Sequence, residues 1–202
     1  MSEHTPIVFI VDDDTDIRDS VSLLVQSVGL SCETFADGQA LLDGLPPDAH
    51  GCVVADIRMP GMSGLDLQAR LAELGSHLPI IIMTGFGDVP IAVRAMKQGA
   101  VDFIEKPYQP DELLERIQQA IAEDAKRLST ASAQIALRER VATLTKRERE
   151  VMDLVVKGSA NKVVAIDLGI SERTVEIHRS RVMKKMGARS LAELVNLVTA
   201  LD

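Results

Sequence analysis

Over its first ~125 residues the chain alternates short β-rich apolar runs with amphipathic stretches, and this alternation restricts the fold more than any other feature of the sequence. Strands joined through helix-length segments pair in parallel as βαβ units, whereas hairpin strands need only a tight turn. The runs fall near 7–11, 31–35, 51–55, 79–83 and 101–104, and the helical stretches near 15–28, 37–44, 64–75, 88–98 and 110–125. Five strands and five helices predict one doubly wound α/β domain with a five-stranded parallel sheet. Local signals agree with these limits. Ser63 with Asp66 makes an S-x-x-D start, Gly29 and Gly99 suit helix exits, and Pro110 suits a first helical turn.

Four of the runs end in groups that carry chemistry. Residues 8–11 lead into Asp12, Asp13 and Asp14, residues 53–55 into Asp56, residues 80–83 into Thr84, and residues 101–104 into Glu105, Lys106 and Pro107. Parallel strands present their C-terminal ends at one edge, where open α/β sheets bind ligands. Crowded carboxylates repel one another and need a cation, and a lysine beside them suits a visiting anion. That is the charge pattern of a Mg²⁺-assisted phosphoryl-transfer centre. Mg²⁺ would offset two of the three charges on Asp12, Asp13 and Asp56, and Lys106 would neutralise part of what an incoming phosphoryl group adds. A carboxylate nucleophile held in line with the donor yields an aspartyl phosphate. Hard oxygen ligands favour Mg²⁺ over softer metals.

Read singly, each of these acids is an ordinary strand-end turn residue and Phe103 is core; only the combination at matching strand ends argues otherwise. Asp14 and Asp16 read as solvated acids at a helix start, where they suit the dipole. Two other patterns fit poorly. D-D-D-T-D resembles a calcium loop, but its sixth position is Ile17 where that loop needs Gly, and it follows a strand. It also resembles the D-x-D of haloacid-dehalogenase-type phosphatases, which would make Asp12 the nucleophile; those enzymes place Thr or Val where this chain has Asp16.

The rest of the chain differs in pattern and in charge. Residues 1–125 carry 7 Lys and Arg against 21 Asp and Glu, a balance of −14, whereas residues 126–202 carry 15 against 9, a balance of +6. An acidic module is thus joined to a basic one able to bind polyanions. Residues 126–142 contain no Pro or Gly and have weak apolar order, which predicts a helical or loosely ordered linker. Beyond it come four helical segments. One starts at a capping box of Thr145 with Glu148, one spans 159–168, one spans 172–186 after a Gly169-Ile170-Ser171 turn, and one starts at a second box of Ser190 with Glu193. Cys32 and Cys52 lack C-x-x-C spacing and read as free thiols of a reducing cytoplasm. No run approaches the roughly 18 apolar residues of a membrane span. The N-terminus lacks the basic flank and apolar core of a leader. The absence of G-x-x-x-x-G-K-[ST] argues against an ATPase module.

At about 100° per residue, Val175, His178, Val182 and Met186 share one stripe of the 172–186 helix, which should pack on the neighbouring helices. On that side His178 should be packed and hydrogen-bonded, and Arg179 should lie along the scaffold with its head at the backbone. The opposite face carries Arg173, Ile177, Ser180 and Lys184, flanked by Arg181. An isoleucine among basic residues is odd for a solvated face and natural for a thymine methyl in the major groove. Arg173, Arg181 and Lys184 suit guanine edges or phosphates, and Lys162 and Asn161 suit phosphates from the preceding helix. The plain alternative is a solvated basic face.

Four motifs of the acidic half, in order, resemble the receiver domain of two-component response regulators: the V-D-D-D run, D-I-R-M-P-G-M-S-G from Asp56, M-T-G from Met83 and F-I-E-K-P from Phe103. The resemblance covers about residues 5–125 and implies a flavodoxin-like sheet of order 2-1-3-4-5. It implies that Asp56 is the phosphoacceptor. Asp13, Asp56 and the backbone carbonyl of Arg58 would ligate Mg²⁺, with Asp12 acting through a metal-bound water. Lys106 and Thr84 would contact the phosphoryl group, Phe103 would move with Thr84, and Lys106-Pro107 would be cis. Phe86 stands where the FixJ-like branch usually has His.

The basic half resembles the LuxR-type helix-turn-helix of the NarL/FixJ response regulators over about residues 143–202, through L-T-K-R-E-R-E-V, K-G-S-A-N-K, I-S-E-R-T-V-E-I-H and K-K-M-G-A-R-S-L-A-E-L-V. This implies a smaller all-α, four-helix DNA-binding domain whose base contacts map onto Glu176, Ile177 and Ser180. The whole chain then reads as a receiver at 1–125, a linker at 126–142 and a DNA-binding domain at 143–202, nearest the FixJ branch. The implied partners are a sensor histidine kinase, double-stranded promoter DNA, RNA polymerase and, when phosphorylated, a second copy of the chain, with no membrane. It would be no enzyme beyond its own phosphoryl transfer and slow dephosphorylation. An Asp12-nucleophile phosphatase and a protein-binding adaptor are the alternatives.

Overall fold

The computed structural model describes residues 5–85 and 89–201. Contacts divide the chain into two compact units, Met1–Leu128 and Ser129–Asp202. The first unit alternates β1 (Ile7–Val11), α1 (Thr15–Ser27), β2 (Ser31–Phe35), α2 (Gly38–Gly44), β3 (Gly51–Asp56), α3 (Gly64–Glu73), β4 (Ile80–Thr84), α4 (Val89–Lys97) and β5 (Asp102–Glu105), and it includes the first part of α5 (Pro110–Ala142). All four strand pairings are parallel, in the order β2-β1-β3-β4-β5. Each strand lies within a residue or so of its predicted position.

The strand sequences explain both the order and the layers. β3 and β4 are buried throughout and β1 nearly so, as central strands covered on both faces must be. β2, with Ser31, Glu33 and Thr34 exposed, is an edge strand blunted by polar side chains. Along each strand successive residues enter opposite cores. Phe9, Val53 and Ile82 pack with Leu41 of α2 and Leu67 of α3, while Ile10, Val54 and Ile81 pack with Val25 of α1 and Ile117 of α5. The chain reverses direction across the sheet between β1 and β3, so the loops after these strands diverge and leave a crevice at their C-terminal ends. After β3 the chain turns back tightly. A Cβ on Gly64 would come within 2.5 Å of the Asp56 carbonyl oxygen, so only glycine allows α3 to start there.

Two predicted boundaries and one predicted cap change. α5 is a single 33-residue helix through Ala142, so residues 126–142 are helical. Nothing in residues 126–142 breaks a helix, and Leu137 is buried in the second unit's core, which supplies packing that propensity alone does not. α7 (Asn161–Leu168) begins two residues after Ser159, and Ala160 at its N-cap makes no side-chain capping bond. At α9 (Leu191–Thr199), Ser190 accepts from the Glu193 amide, but the Glu193 carboxylate accepts from Arg189 N at 2.8 Å, so the reciprocal half of that box is not made.

The second unit packs α6 (Lys146–Val156), α7, α8 (Glu172–Met186) and α9 with the last turns of α5. The Thr145–Glu148 capping box is complete. Gly169 ends α7 in the left-handed conformation at φ 63°, and Ser171 caps α8 through the Thr174 amide, giving the sharp helix-turn-helix joint. Among the described residues no helix is long and apolar enough to cross a membrane.

Candidate functional site

The C-terminal edge of the first unit's sheet gathers Asp12, Asp56 and Lys106. Lys106 Nζ donates to Asp12 Oδ2 at 2.8 Å and to Asp56 Oδ1 at 2.5 Å, spanning the crevice between β1 and β3 from the end of β5. The other carboxylate oxygens accept local amides: Asp14 N donates to Asp12 Oδ1 at 2.9 Å, and Arg58 N to Asp56 Oδ2 at 2.6 Å. Asp12 is 1% and Asp56 8% exposed, so these charges sit where bulk water screens them little. Burial pulls the Lys106 ammonium down, and its hydrogen bonds to Asp12 and Asp56 more than offset this, holding its pKa above the ordinary lysine range.

Register places the rest of the pocket. Thr84 pairs with Glu105 across β4 and β5 and is buried, and Lys106 N donates to Thr84 O at 2.7 Å, so the lysine stem starts beside the threonine. Thr84 Oγ1 donates to Gly85 O at 3.4 Å. Lys106-Pro107 is cis. Other candidates lie farther out. Asp13 is exposed at the mouth and Arg58 is exposed after β3. Phe103 is 38% exposed on the edge strand β5 and is not core. Asp14 caps α1 by accepting from Asp16 N, the helix-start role read from sequence. Phe86 lies outside the described residues.

Sequence reading missed Arg18. Its guanidinium, one turn into α1, donates to the Asp12 carbonyl at 2.6 Å and to Thr15 Oγ1 at 2.9 Å, fixing the loop that carries Asp12 and Asp13. A lone base six positions after Asp12 was the available signal. Among the described residues no three of His, Cys, Asp and Glu form a group that could hold a metal ion. What the pocket offers instead is two buried carboxylates, a third at the rim, and main-chain carbonyls. These donors are all hard oxygens, a set that suits Mg²⁺, an ion usually bound by one or two carboxylates while it keeps several waters.

Both cysteines are free thiols. Cys52 lies buried within β3, and burial, aided by the Asp124 carboxylate, pushes it up to about 12. Cys32 is half-buried against Ser22.

In the second unit α8 divides as its spacing requires. Val175, Val182 and Met186 are buried and His178 is half-buried. Arg173, Glu176, Ile177, Ser180, Arg181 and Lys184 are exposed, as is Lys162 on α7. Ile177 is 43% exposed, an apolar side chain set among bases. Arg173 pairs with Glu176 at 3.4 Å along the helix. Two details differ from expectation. The Arg179 head donates to the Asn161 side-chain oxygen at 3.0 Å instead of to backbone, which ties α8 to the start of α7 and engages the amide expected at a phosphate. His178 is packed, but among the described residues its buried Nδ1 has no hydrogen-bond partner.

Comparison with known proteins matches both halves. Residues 8–118 fit the response regulator receiver domain, and residues 142–198 fit the bacterial regulatory proteins of the luxR family. The chain is 48% identical over 192 residues to the transcriptional regulatory protein FixJ of Bradyrhizobium diazoefficiens, spanning 94% of this chain and 93% of that one. It is 42% identical over 201 residues to the response regulator protein TodT of Pseudomonas putida, spanning 100% of this chain and 88% of that one. Among solved structures it is similar to the response regulator StyR (42% identity, TM-score 0.86, 96% of this chain and 98% of that chain). It is also similar to full-length FixJ from B. japonicum (45% identity, TM-score 0.62, 97% of each chain).

Proposed function

The chain belongs to the response regulators that join a receiver domain to a LuxR-type DNA-binding domain, and on that premise we propose that it is a transcription factor switched by phosphorylation of Asp56. The observation that carries this reading is the Lys106 ammonium held between two buried carboxylates at the strand-end crevice. That arrangement fits a nucleophile beside a cation able to exchange one oxyanion partner for another. An Asp56 oxygen attacks the phosphorus of a sensor histidine kinase's phosphohistidine; the new O–P bond replaces the N–P bond, and the histidine leaves as the free imidazole. Lys106 moves from carboxylate to phosphoryl oxygens, and Thr84 donates its hydroxyl to the same group. Asp13, Asp56 and the Arg58 carbonyl, with Asp12 through water, would hold a Mg²⁺ ion, which supplies charge neutralisation when bound. No further enzyme activity is assigned beyond slow self-dephosphorylation.

The receiver at 1–125 then passes its state through the 126–142 segment to the DNA-binding domain at 143–202. Once Asp56 is modified, Thr84 and Phe103 move inward and reshape the face of α4, β5 and α5. That face pairs with a second copy, presenting two α8 helices to a two-fold promoter site in the cytoplasm. Arg173, Glu176, Ile177, Ser180, Arg181 and Lys184, with Lys162 on α7, form the DNA-facing set, and RNA polymerase is contacted directly.

Asp56→Asn tests the reading. Labelling by acetyl phosphate should vanish, and with it the phosphorylation-dependent gain in duplex affinity. Labelling that survives in Asp56→Asn and disappears in Asp12→Asn would establish the phosphatase-like alternative instead.

A further inference from the structure

α5 and α8 end side by side within the second unit, and each caps the other. Arg140, in the last turn of α5, donates from Nη1 to the carbonyl of Met186, the last residue of α8, at 3.1 Å. In return Lys185 of α8 donates to the carbonyl of Thr143, just past the end of α5, at 2.9 Å. Terminal carbonyls of a helix have no partner within the helix and carry the negative end of its dipole, so a cation is the group they favour. Here each cation comes from the other helix.

The geometry is built around this exchange. Gly187, at φ 70°, ends α8, and a Cβ there would lie 3.1 Å from Arg140 Nη1, so the bare glycine leaves room for the guanidinium. Lys185 also reaches the buried Glu148 carboxylate at 2.7 Å, and Glu148 in turn accepts from Thr145 N at 2.9 Å, which starts α6. Leu137, one turn before Arg140, is buried with Val182 and Met186 in the same core. Residues of α5 therefore hold the C-terminal end of the helix whose exposed face carries Ile177 and Lys184.

We propose that Arg140 and Lys185, by capping one another's helices, position α8 for DNA, so that the working DNA-binding module starts inside α5, near Leu137. The inference rests on the reading of α8 as the DNA-facing helix. Arg140 acts through α8 and touches no base.

The test uses the full chain, phosphorylated, with Arg140→Met and Arg140→Lys, titrated with duplex DNA carrying the binding site over a range of salt. Arg140 is exposed, so both variants should fold, which thermal melting checks. Arg140→Met should bind about three- to tenfold more weakly with an unchanged slope of log affinity against log salt, and Arg140→Lys, which still brings a cation to the Met186 carbonyl, should recover most of the loss. Equal affinity for Arg140→Met and the unaltered chain, even with a lowered melting temperature, overturns the proposal. So does a salt slope reduced by about one, which would make Arg140 a phosphate contact. Failure of the unaltered chain to bind any duplex would instead overturn the DNA-binding reading itself.

Discussion

The two units use charge in opposite ways. In the first, every carboxylate oxygen of Asp12 and Asp56 already has a partner, either the Lys106 ammonium or a local amide, and the cluster is nearly closed to solvent. In the second, Arg181 and Lys184 are exposed on α8 beside the exposed Arg173–Glu176 pair, while the helix's opposite face is locked into the core. A modification site needs charges that change partners, and burial makes each exchange count because screening is weak there. A polyanion-binding face needs cations that meet their partners only in the complex, and exposure keeps their desolvation cost small. The −14 and +6 balances of the two stretches are the sequence-level trace of the same division.

The most severe way to break the comparison is to remove the shared cation. Lys106→Met should lower the initial rate of Asp56 labelling from acetyl phosphate by roughly 10²-fold, the scale expected for losing one charge-stabilising donor. An unchanged rate would make the Lys106 pairs a packing feature and return Asp56 to an ordinary strand-end acid.

A smaller effect is expected where the second unit departs from its own rule, at the pairing of buried Glu148 with Lys185. Lys185→Met leaves that carboxylate without its cation. Complete burial would make this cost 3–5 kcal/mol, but the Lys185 side chain is 34% exposed, so about 2 kcal/mol is expected from urea denaturation at neutral pH. The same pair sets a pH dependence. The hydrogen bond from Lys185, then that from Thr145, holds Glu148 at about 2, below the ordinary 4.5. A carboxylate depressed on folding contributes stability fully above its unfolded value and loses it as pH falls through its folded value. The stability gap between the unaltered chain and Glu148→Gln should therefore be constant above about pH 5 and close between about 4.5 and 2. A gap independent of pH over that window would show that the ion pair contributes nothing.

What the sequence disclosed follows from how local each feature is. The strand ends at Asp12, Asp56, Thr84 and Lys106 were legible because a short apolar run stops where the buried strand stops, and parallel pairing carries four such stops to one edge. The α8 stripe was legible for the same reason at helical period. Arg18 on the Asp12 carbonyl, Arg179 on Asn161 and the mutual caps of Arg140 and Lys185 were not. Each joins a long flexible side chain to a partner chosen by tertiary packing, and no spacing rule encodes the partner. The extension of α5 through Ala142 falls between these cases. The absence of Pro and Gly permitted it, while burial of Leu137 in a core elsewhere in the chain decided it.

The finest contrast lies within α8 itself, between an apolar and a charged residue on its exposed face. Ile177→Ala removes an apolar contact, so its effect should follow sequence: about 1 kcal/mol on a duplex carrying thymine at the contacted position, and close to nothing when that thymine is replaced by uracil, which lacks the methyl. Lys184→Ala removes a charge, so its effect should be nearly uniform across sequences and should reduce the salt slope by about one per protomer. Competition titrations of both variants against matched duplexes, at two salt concentrations, separate the two. If Ile177→Ala weakened all duplexes alike while its salt slope stayed fixed, Ile177 would be shaping α8 without reading a base. If Lys184→Ala left the slope unchanged, the exposed bases of α8 would be a solvated face, and the contrast between stored and presented charge would lose its second half.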